Sequence, residues 1–304
     1  MISTLRSNLA SDISPRLYIE LMKPRIVILL VLTCVTGMIV AIDSFPPLNL
    51  LLLTILGGVL SAGGASAINQ YLDRELDAKM ARTARRPIPS GRMPAEHALA
   101  FGVALVISSV LVLGLFVNWL AAMLALAGAI YYVVIYTLIL KRNTVVNILI
   151  GGGAGAMPVL VGWAAASGAL ELQAFILFAI VFYWTPPHSW ALAILVNKDY
   201  AAADIPMMPV ARGERVTRYQ ILFYSIQLVI ISLSPSILLW LPQAPLLLDH
   251  FYLAIAAVLG LILIGLAVKL IRRADKATAR ALYKYSSLYL ALLFLAMIVD
   301  RLLL

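Results

Sequence analysis

The residues best suited to chemistry lie between Asn69 and Arg92, in NQYLDRELDAKMARTARRPIPSGR. Asn69, Asp73 and Asp77 are four residues apart. Each such step on a helix leaves only about 40° of angular drift, so all three face one side. Arg82, Arg85 and Arg86 follow, and Pro87 and Pro89 end the run. Magnesium takes hard oxygen ligands, one or two carboxylates together with water and phosphate oxygens. The forked donors of arginine match phosphate oxygens. The pattern suits a metal-bound diphosphate that must depart, with catalysis largely electrostatic. A plainer reading is a solvated helix end pairing with Arg74 and Lys79. Against it, Asn69 stands at the end of an apolar run, where polar side chains are costly and mark function.

A second stretch, TPPHSWALAILVNKDYAAADIPMMPVARGER from Thr185, has a polar core of Asn197, Lys198, Asp199, Tyr200 and Asp204. A spacing of five puts Asp199 and Asp204 about 140° apart on a regular helix. They converge only if the helix stops between them, which Pro206 favours. His188 follows two prolines inside an apolar run, beside Tyr183, Trp184 and Trp190. It is either a packed residue bonded to a carbonyl or a group that ligates haem iron or moves a proton. Tyr131, Tyr132, Tyr136, Tyr183 and Trp184 read as packing or interface aromatics, some able to steady a carbocation with their ring faces. The run Gly151 to Ala156 lacks the lysine of a phosphate loop and allows close helix approach instead.

The elements that position these groups are membrane spans. The chain of 304 residues is 63% hydrophobic and 12% charged, with mean hydropathy +0.99. That composition excludes an ordinary soluble domain. Nine apolar runs reach spanning length: 25–43, 48–70, 97–116, 118–140, 145–167, 173–194, 220–241, 250–270 and 284–302. All but one of the 23 lysines and arginines, Arg301 being the exception, fall in the N-terminal flank or in alternate loops. This asymmetry accounts for the net charge of +9 without nucleic acid, and it puts the N-terminus and the motif loops in the cytoplasm. The first 20 residues have no long apolar core and do not read as a signal peptide. Cys34 is the one cysteine, so no disulfide forms within the chain. Four spans separate the two long loops, 71–96 and 195–219, which suggests a repeated four-helix unit plus a ninth helix within one membrane domain.

The first motif resembles the aspartate-rich motif of the UbiA superfamily of intramembrane prenyltransferases. LMKPRIVILLVLTCVTG from Leu21, YTLILKRNTVVNILIGGGAGAMPVLVGWAAASG from Tyr136 and TPPHSWALAILVNKDYAAADIPMMPV from Thr185 are similar to its haem-modifying branch. The resemblance implies an all-α membrane protein of nine helices around a central cavity, capped on the cytoplasmic side by the loops after spans two and six. It implies Mg²⁺-dependent transfer of a farnesyl group from farnesyl diphosphate to a vinyl group of haem B, giving haem O in the inner membrane. It assigns the metal to Asn69, Asp73, Asp77 and Asp199, with Asp204 a further ligand. Diphosphate falls to Lys79, Arg82, Arg85, Arg86, Asn197 and Lys198, and Lys198 and Asp199 join the catalytic set. Beside the resemblance, His188, with Tyr183 and Trp184, is expected to contact haem, through its iron or a propionate. A downstream haem-modifying enzyme or terminal oxidase assembly machinery would receive the product. Where quinone-branch relatives carry a denser aspartate series this chain has Asn197 and Ala201, which leaves the number of metal ions open. The competing readings are a polyprenyltransferase acting on an aromatic acid, and a transporter or haem-handling factor without chemistry. Mid-membrane acids would mark a transporter, whereas these acids sit at span ends.

Overall fold

A computed structural model describes residues 14–237 and 248–303, all of whose regular elements are helices. A short helix α1 (Pro15–Met22) turns at Lys23 into α2 (Pro24–Ile42). Then come α3 (Leu48–Leu72), the single turn-and-a-half α4 (Arg74–Lys79), α5 (Ala95–Phe116), α6 (Trp119–Asn143) and α7 (Asn147–Ser167). The chain continues as α8 (Leu172–Leu195), two short helices α9 (Asn197–Ala202) and α10 (Met208–Ala211), and the long α11 (Gly213–Ile237), α12 (His250–Arg273) and α13 (Lys276–Leu303). Among the described residues nine helices are long and apolar enough to cross a membrane.

Seven of the nine expected spans start within two residues of their helices, and the other two share their core; the differences sit at charged ends. The seventh helix begins at Gly213 and the ninth at Lys276, well before the apolar runs at 220 and 284. Their first two turns are polar, as in the Glu214–Arg218 pair at 3.7 Å, and so escape a hydropathy window. Residues 238–241 of the expected seventh span, and Arg6 and Asp12 of the N-terminal flank, lie outside the described residues.

Each long helix packs on the next in the chain, and α13 closes the ring against α2. α7 also lies along α2, and α8 along α13. In lipid the drive for such packing is close contact and internal hydrogen bonding rather than exclusion of water. Gly162 of α7 meets α2 so closely that an added Cβ would run into the Cys34 carbonyl. Ser61 Oγ donates to the Ala125 carbonyl at 3.0 Å and Ser109 Oγ to the Gly57 carbonyl at 2.7 Å, tying α3 to α6 and α5. At the end remote from the motif loops, Asp300 accepts from the N–H groups of Asp249 (2.8 Å) and Tyr252 (3.1 Å), capping α12 from another helix. Arg301 beside it pairs with Asp43 at 2.9 Å, joining α13 to the end of α2.

Residues 131–140 of α6 are wound as a π-helix, wider than the α form. The Thr137 hydroxyl bonds the Tyr132 carbonyl five residues back, at 2.8 Å. The stretch ends at Lys141, at the motif end of the bundle.

Candidate active site

Asn69, Asp73 and Asp77 are all buried, at 3%, 0% and 0% exposure, so none faces lipid. Asp73 sits at a joint between α3 and α4, with φ −90° and ψ 2°. The Asp73 N–H still bonds the Asn69 carbonyl at 2.9 Å, and the Asp77 N–H the Asp73 carbonyl at 2.8 Å. The four-residue spacing therefore keeps its helical meaning across the break.

The side chains are wired together. The Asn69 amide donates through Nδ2 to Asp73 Oδ2 (2.7 Å) and to Thr137 Oγ1 (3.1 Å). Its Oδ1 accepts longer bonds of 3.3 Å from Lys23 Nζ and from the Tyr132 hydroxyl. The partners fix the amide's orientation, because a carboxylate only accepts and an ammonium only donates. Lys141 Nζ lies 2.5 Å from Asp73 Oδ2, and the Arg142 guanidinium 3.7 Å from Oδ1. Arg86 donates to Asp77 Oδ2 at 2.6 Å, and Thr83 to the Asp77 carbonyl at 2.9 Å. Each aspartate thus spends Oδ2 on a hydrogen-bonded cation, and Asp73 Oδ1 has only the more distant Arg142 beside it. Asp73 Oδ1 and Asp77 Oδ1 stay buried without a hydrogen bond.

Bare buried oxygens of this kind call for an unseen partner. With Asn69 Oδ1 they are hard oxygen donors, the type of donor that magnesium takes. No three His, Cys, Asp or Glu converge as a metal site among the described residues, so two carboxylates are what the first motif offers.

Two cations here carried no functional signal in the sequence. Lys23 and Lys141 read as topology charges, yet both reach the first motif from other helices. Lys23 occupies the left-handed kink between α1 and α2, φ 53°. Ser66 and Gln70 of α3 hold that kink by donating to the Leu21 carbonyl at 2.7 and 2.8 Å. Burial, then Arg86 and Lys141, pull the Lys23 ammonium down to about 7; Asp77 and Asp73 act in the opposite sense. For Lys141 there was one usable clue: no acid stands near it in its own loop, so its partner has to come from elsewhere in the chain.

The second motif meets the first through the loop after α4. Asp199 Oδ2 accepts from the Arg82 backbone N–H at 3.3 Å, and Arg82 Nη2 donates to the Tyr200 hydroxyl at 3.3 Å. Met80 shares an apolar cluster with Tyr200, Ile205 and Met207. Asn197 Oδ1 is buried and without a hydrogen bond. Lys79, Arg82, Arg85, Lys198 and Asp204 are exposed, and Arg85 offers its carbonyl to Arg92. α9 does stop at Ala202, between Asp199 and Asp204, and Asp204 turns outward at φ 55°.

His188, Trp184 and Tyr183 lie on α8, away from this charged end. The Trp184 and His188 rings stack at 4.3 Å, and Trp184 Nε1 donates to the Ser286 carbonyl of α13 at 2.6 Å. Tyr183 lies 6.2 Å from the Tyr224 ring of α11. The glycine run serves α6 and α8: a Cβ on Gly151 would strike the Tyr136 ring, and one on Gly152 would meet Thr185 at 2.9 Å. Tyr136 in turn stacks on Tyr132 at 5.6 Å.

Comparison with known proteins identifies the family and the fold. Residues 30–296 match the UbiA prenyltransferase family. A protoheme IX farnesyltransferase of Symbiobacterium thermophilum is 49% identical over 302 residues, 99% of each chain. One of Roseiflexus sp. (strain RS-1) is 53% identical over 93% of this chain, which spans about half (52%) of that relative's length. Among solved structures, a digeranylgeranylglyceryl phosphate synthase superposes with TM-score 0.75 at 21% identity, over 94% of this chain and 98% of its own. A UbiA homolog from Archaeoglobus fulgidus bound to DMAPP and Mg2+ gives 0.64 at 14%, over 92% and 98%. The chain belongs to the UbiA prenyltransferase family of membrane proteins.

Proposed function

We propose that the chain, as one membrane unit, transfers the farnesyl group of farnesyl diphosphate to a vinyl group of haem B, giving haem O. The observation that carries the reading is the pair of bare buried oxygens on Asp73 and Asp77, flanked by Lys141, Arg86 and Lys23. The acceptor follows from the relatives, whose name states protoheme IX farnesyltransferase.

Asn69, Asp73 and Asp77 would hold Mg²⁺; Asp199 would join them from the second loop, and Asp204, which now faces outward, would have to swing inward to do so. When bound, the ion neutralises diphosphate charge and makes it a better leaving group. Lys23, Lys141, Arg82, Arg85, Arg86 and Lys79 bind the diphosphate oxygens, and Asn197 and Lys198 close on it from α9. The allylic C–O bond breaks and the electron pair leaves with the diphosphate. The vinyl π electrons then bond to the farnesyl carbon, and water takes the resulting porphyrin-side cation, releasing a proton. Helix walls keep bulk water from the allylic cation, and the stacked pair of Tyr132 and Tyr136 would steady it with an outer ring face. His188, Tyr183 and Trp184 bind the haem, through its iron or a propionate. The lysine and arginine asymmetry sets the motif loops as a cytoplasmic cap, with the chain in the inner membrane. The product passes to a haem-modifying enzyme or oxidase assembly machinery.

The test is incubation of membranes with haem B, farnesyl diphosphate and Mg²⁺, followed by mass analysis of the haem. Haem O formed by the wild type and absent with Asp73→Asn supports the reading. Prenylation of a hydroxybenzoate, with haem left unchanged, overturns it.

A further inference from the structure

His188 is held more tightly than packing requires. It lies one helical step beyond Trp184, whose ring stacks on the imidazole at 4.3 Å and 22°. Tyr283 of α13 lies against the same imidazole at 4.7 Å and 33°. His188 Nδ1 is 2.8 Å from Ser286 Oγ. That contact alone leaves the proton's position open, but Ser286 resolves it. A serine hydroxyl has one proton, and Ser286 gives its proton to the Tyr283 carbonyl at 2.8 Å. With the Ser286 proton on that carbonyl, the bond to His188 draws its proton from the ring, so Nδ1–H donates and Oγ accepts.

An imidazolium within a span would need a carboxylate, and no described carboxylate reaches the ring. In the neutral ring Nε2 is then a bare lone pair, and no described group bonds it. A ring clamped by aromatic neighbours, with its other nitrogen donating to oxygen, is how metal-ligating histidines are prepared. A propionate partner would first have to bring the ring a second proton, whereas the bare Nε2 lone pair binds a metal as it stands, which favours the iron over a propionate. His188 belongs to no group of three His, Cys, Asp or Glu among the described residues, so its surroundings supply no further ligands of that kind. The partner is a metal that arrives already held on its other sides.

We infer that His188 Nε2 is an axial ligand to the iron of the haem substrate, and that Ser286 is the positioning residue that fixes its tautomer. This rests on the haem reading above and decides between its two modes of contact. The lone pair forms one coordinate bond, and no proton is exchanged.

The test is titration of the full-length chain in lipid nanodiscs with ferric haem B, read by absorption and electron paramagnetic resonance. The wild type should give a nitrogen-ligated iron spectrum. His188→Ala should lose it, bind haem about tenfold or more weakly, and recover the spectrum with added imidazole. Ser286→Ala should weaken haem binding about tenfold, and Ser286→Thr should restore it. A His188→Ala spectrum identical to wild type overturns the ligand, while leaving haem as the acceptor. Ser286→Ala with unchanged affinity and spectrum overturns the positioning role. A wild type that takes up no haem overturns the acceptor reading itself.

Discussion

Lys141→Met isolates the electrostatic logic of the site. The substitution keeps an apolar stem of similar length and removes the ammonium 2.5 Å from Asp73 Oδ2. Asp73 has no exposure to solvent, and its Oδ1 has no hydrogen bond. Removing one partner of a buried ion pair costs about 3–5 kcal/mol, because a charge is left uncompensated. Arg142 stands 3.7 Å from Oδ1 but is 44% exposed at its side chain, so it moderates the loss toward the low end, about 3 kcal/mol. The assay is equilibrium unfolding in mixed micelles without substrate or divalent ions. The double variant Asp73→Asn/Lys141→Met, with neither charge, should recover much of the deficit, with a coupling of about 1–3 kcal/mol in the cycle. Mg²⁺ should restore more stability to Lys141→Met than to the wild type, since the ion then replaces the missing ammonium beside Asp73. Lys141→Met within about 0.5 kcal/mol of wild type, or purely additive effects in the cycle, would refute the reasoning.

Three further outcomes follow from the geometry. At about pH 8, prenyl diphosphate binding should take up about one proton, because the anion favours the Lys23 ammonium whose pKa in the free site is about 7; the uptake should vanish near pH 6 and in Lys23→Met, as read by calorimetry in buffers of differing ionisation enthalpy. Gly162→Ala forces a Cβ into the Cys34 carbonyl and should cost about 1–3 kcal/mol, whereas Gly155→Ala, with open space around it, should be neutral or slightly stabilising in unfolding titrations. Asp300→Ala removes two caps of α12 and should cost about 1–2 kcal/mol, with prenyl transfer per folded molecule unchanged.

The spans were legible because bilayer solvation imposes one simple demand, a long apolar run, on every helix that crosses it. The first motif was legible because a spacing of four has one meaning on a helix, and the joint at Asp73 leaves that meaning intact. Lys23 and Lys141 were not legible as site residues. A lysine at a span end satisfies the topology rule whether or not it reaches inward, and only the packing of α2 and α6 on α3 tells the two cases apart. The same holds for Ser286, a small hydroxyl whose role depends on which helix lies opposite it. The winding of residues 131–140 was equally hidden, since YYVVIYTLIL is apolar on all sides and carries no periodicity to betray a change of pitch.

That change of pitch makes the stretch a ruler. Thr137, Tyr132 and Lys141 arrive at Asn69 and Asp73 because ten residues are spread over an unusually wide spiral. Losing one residue between 131 and 140, with the wide winding kept, would swing everything beyond it around the axis by one residue's share of a turn. Lys141 would then point away from Asp73. Exchanges of one apolar side chain for another on the outer face leave the count alone, so this segment should accept altered letters far more readily than an altered length.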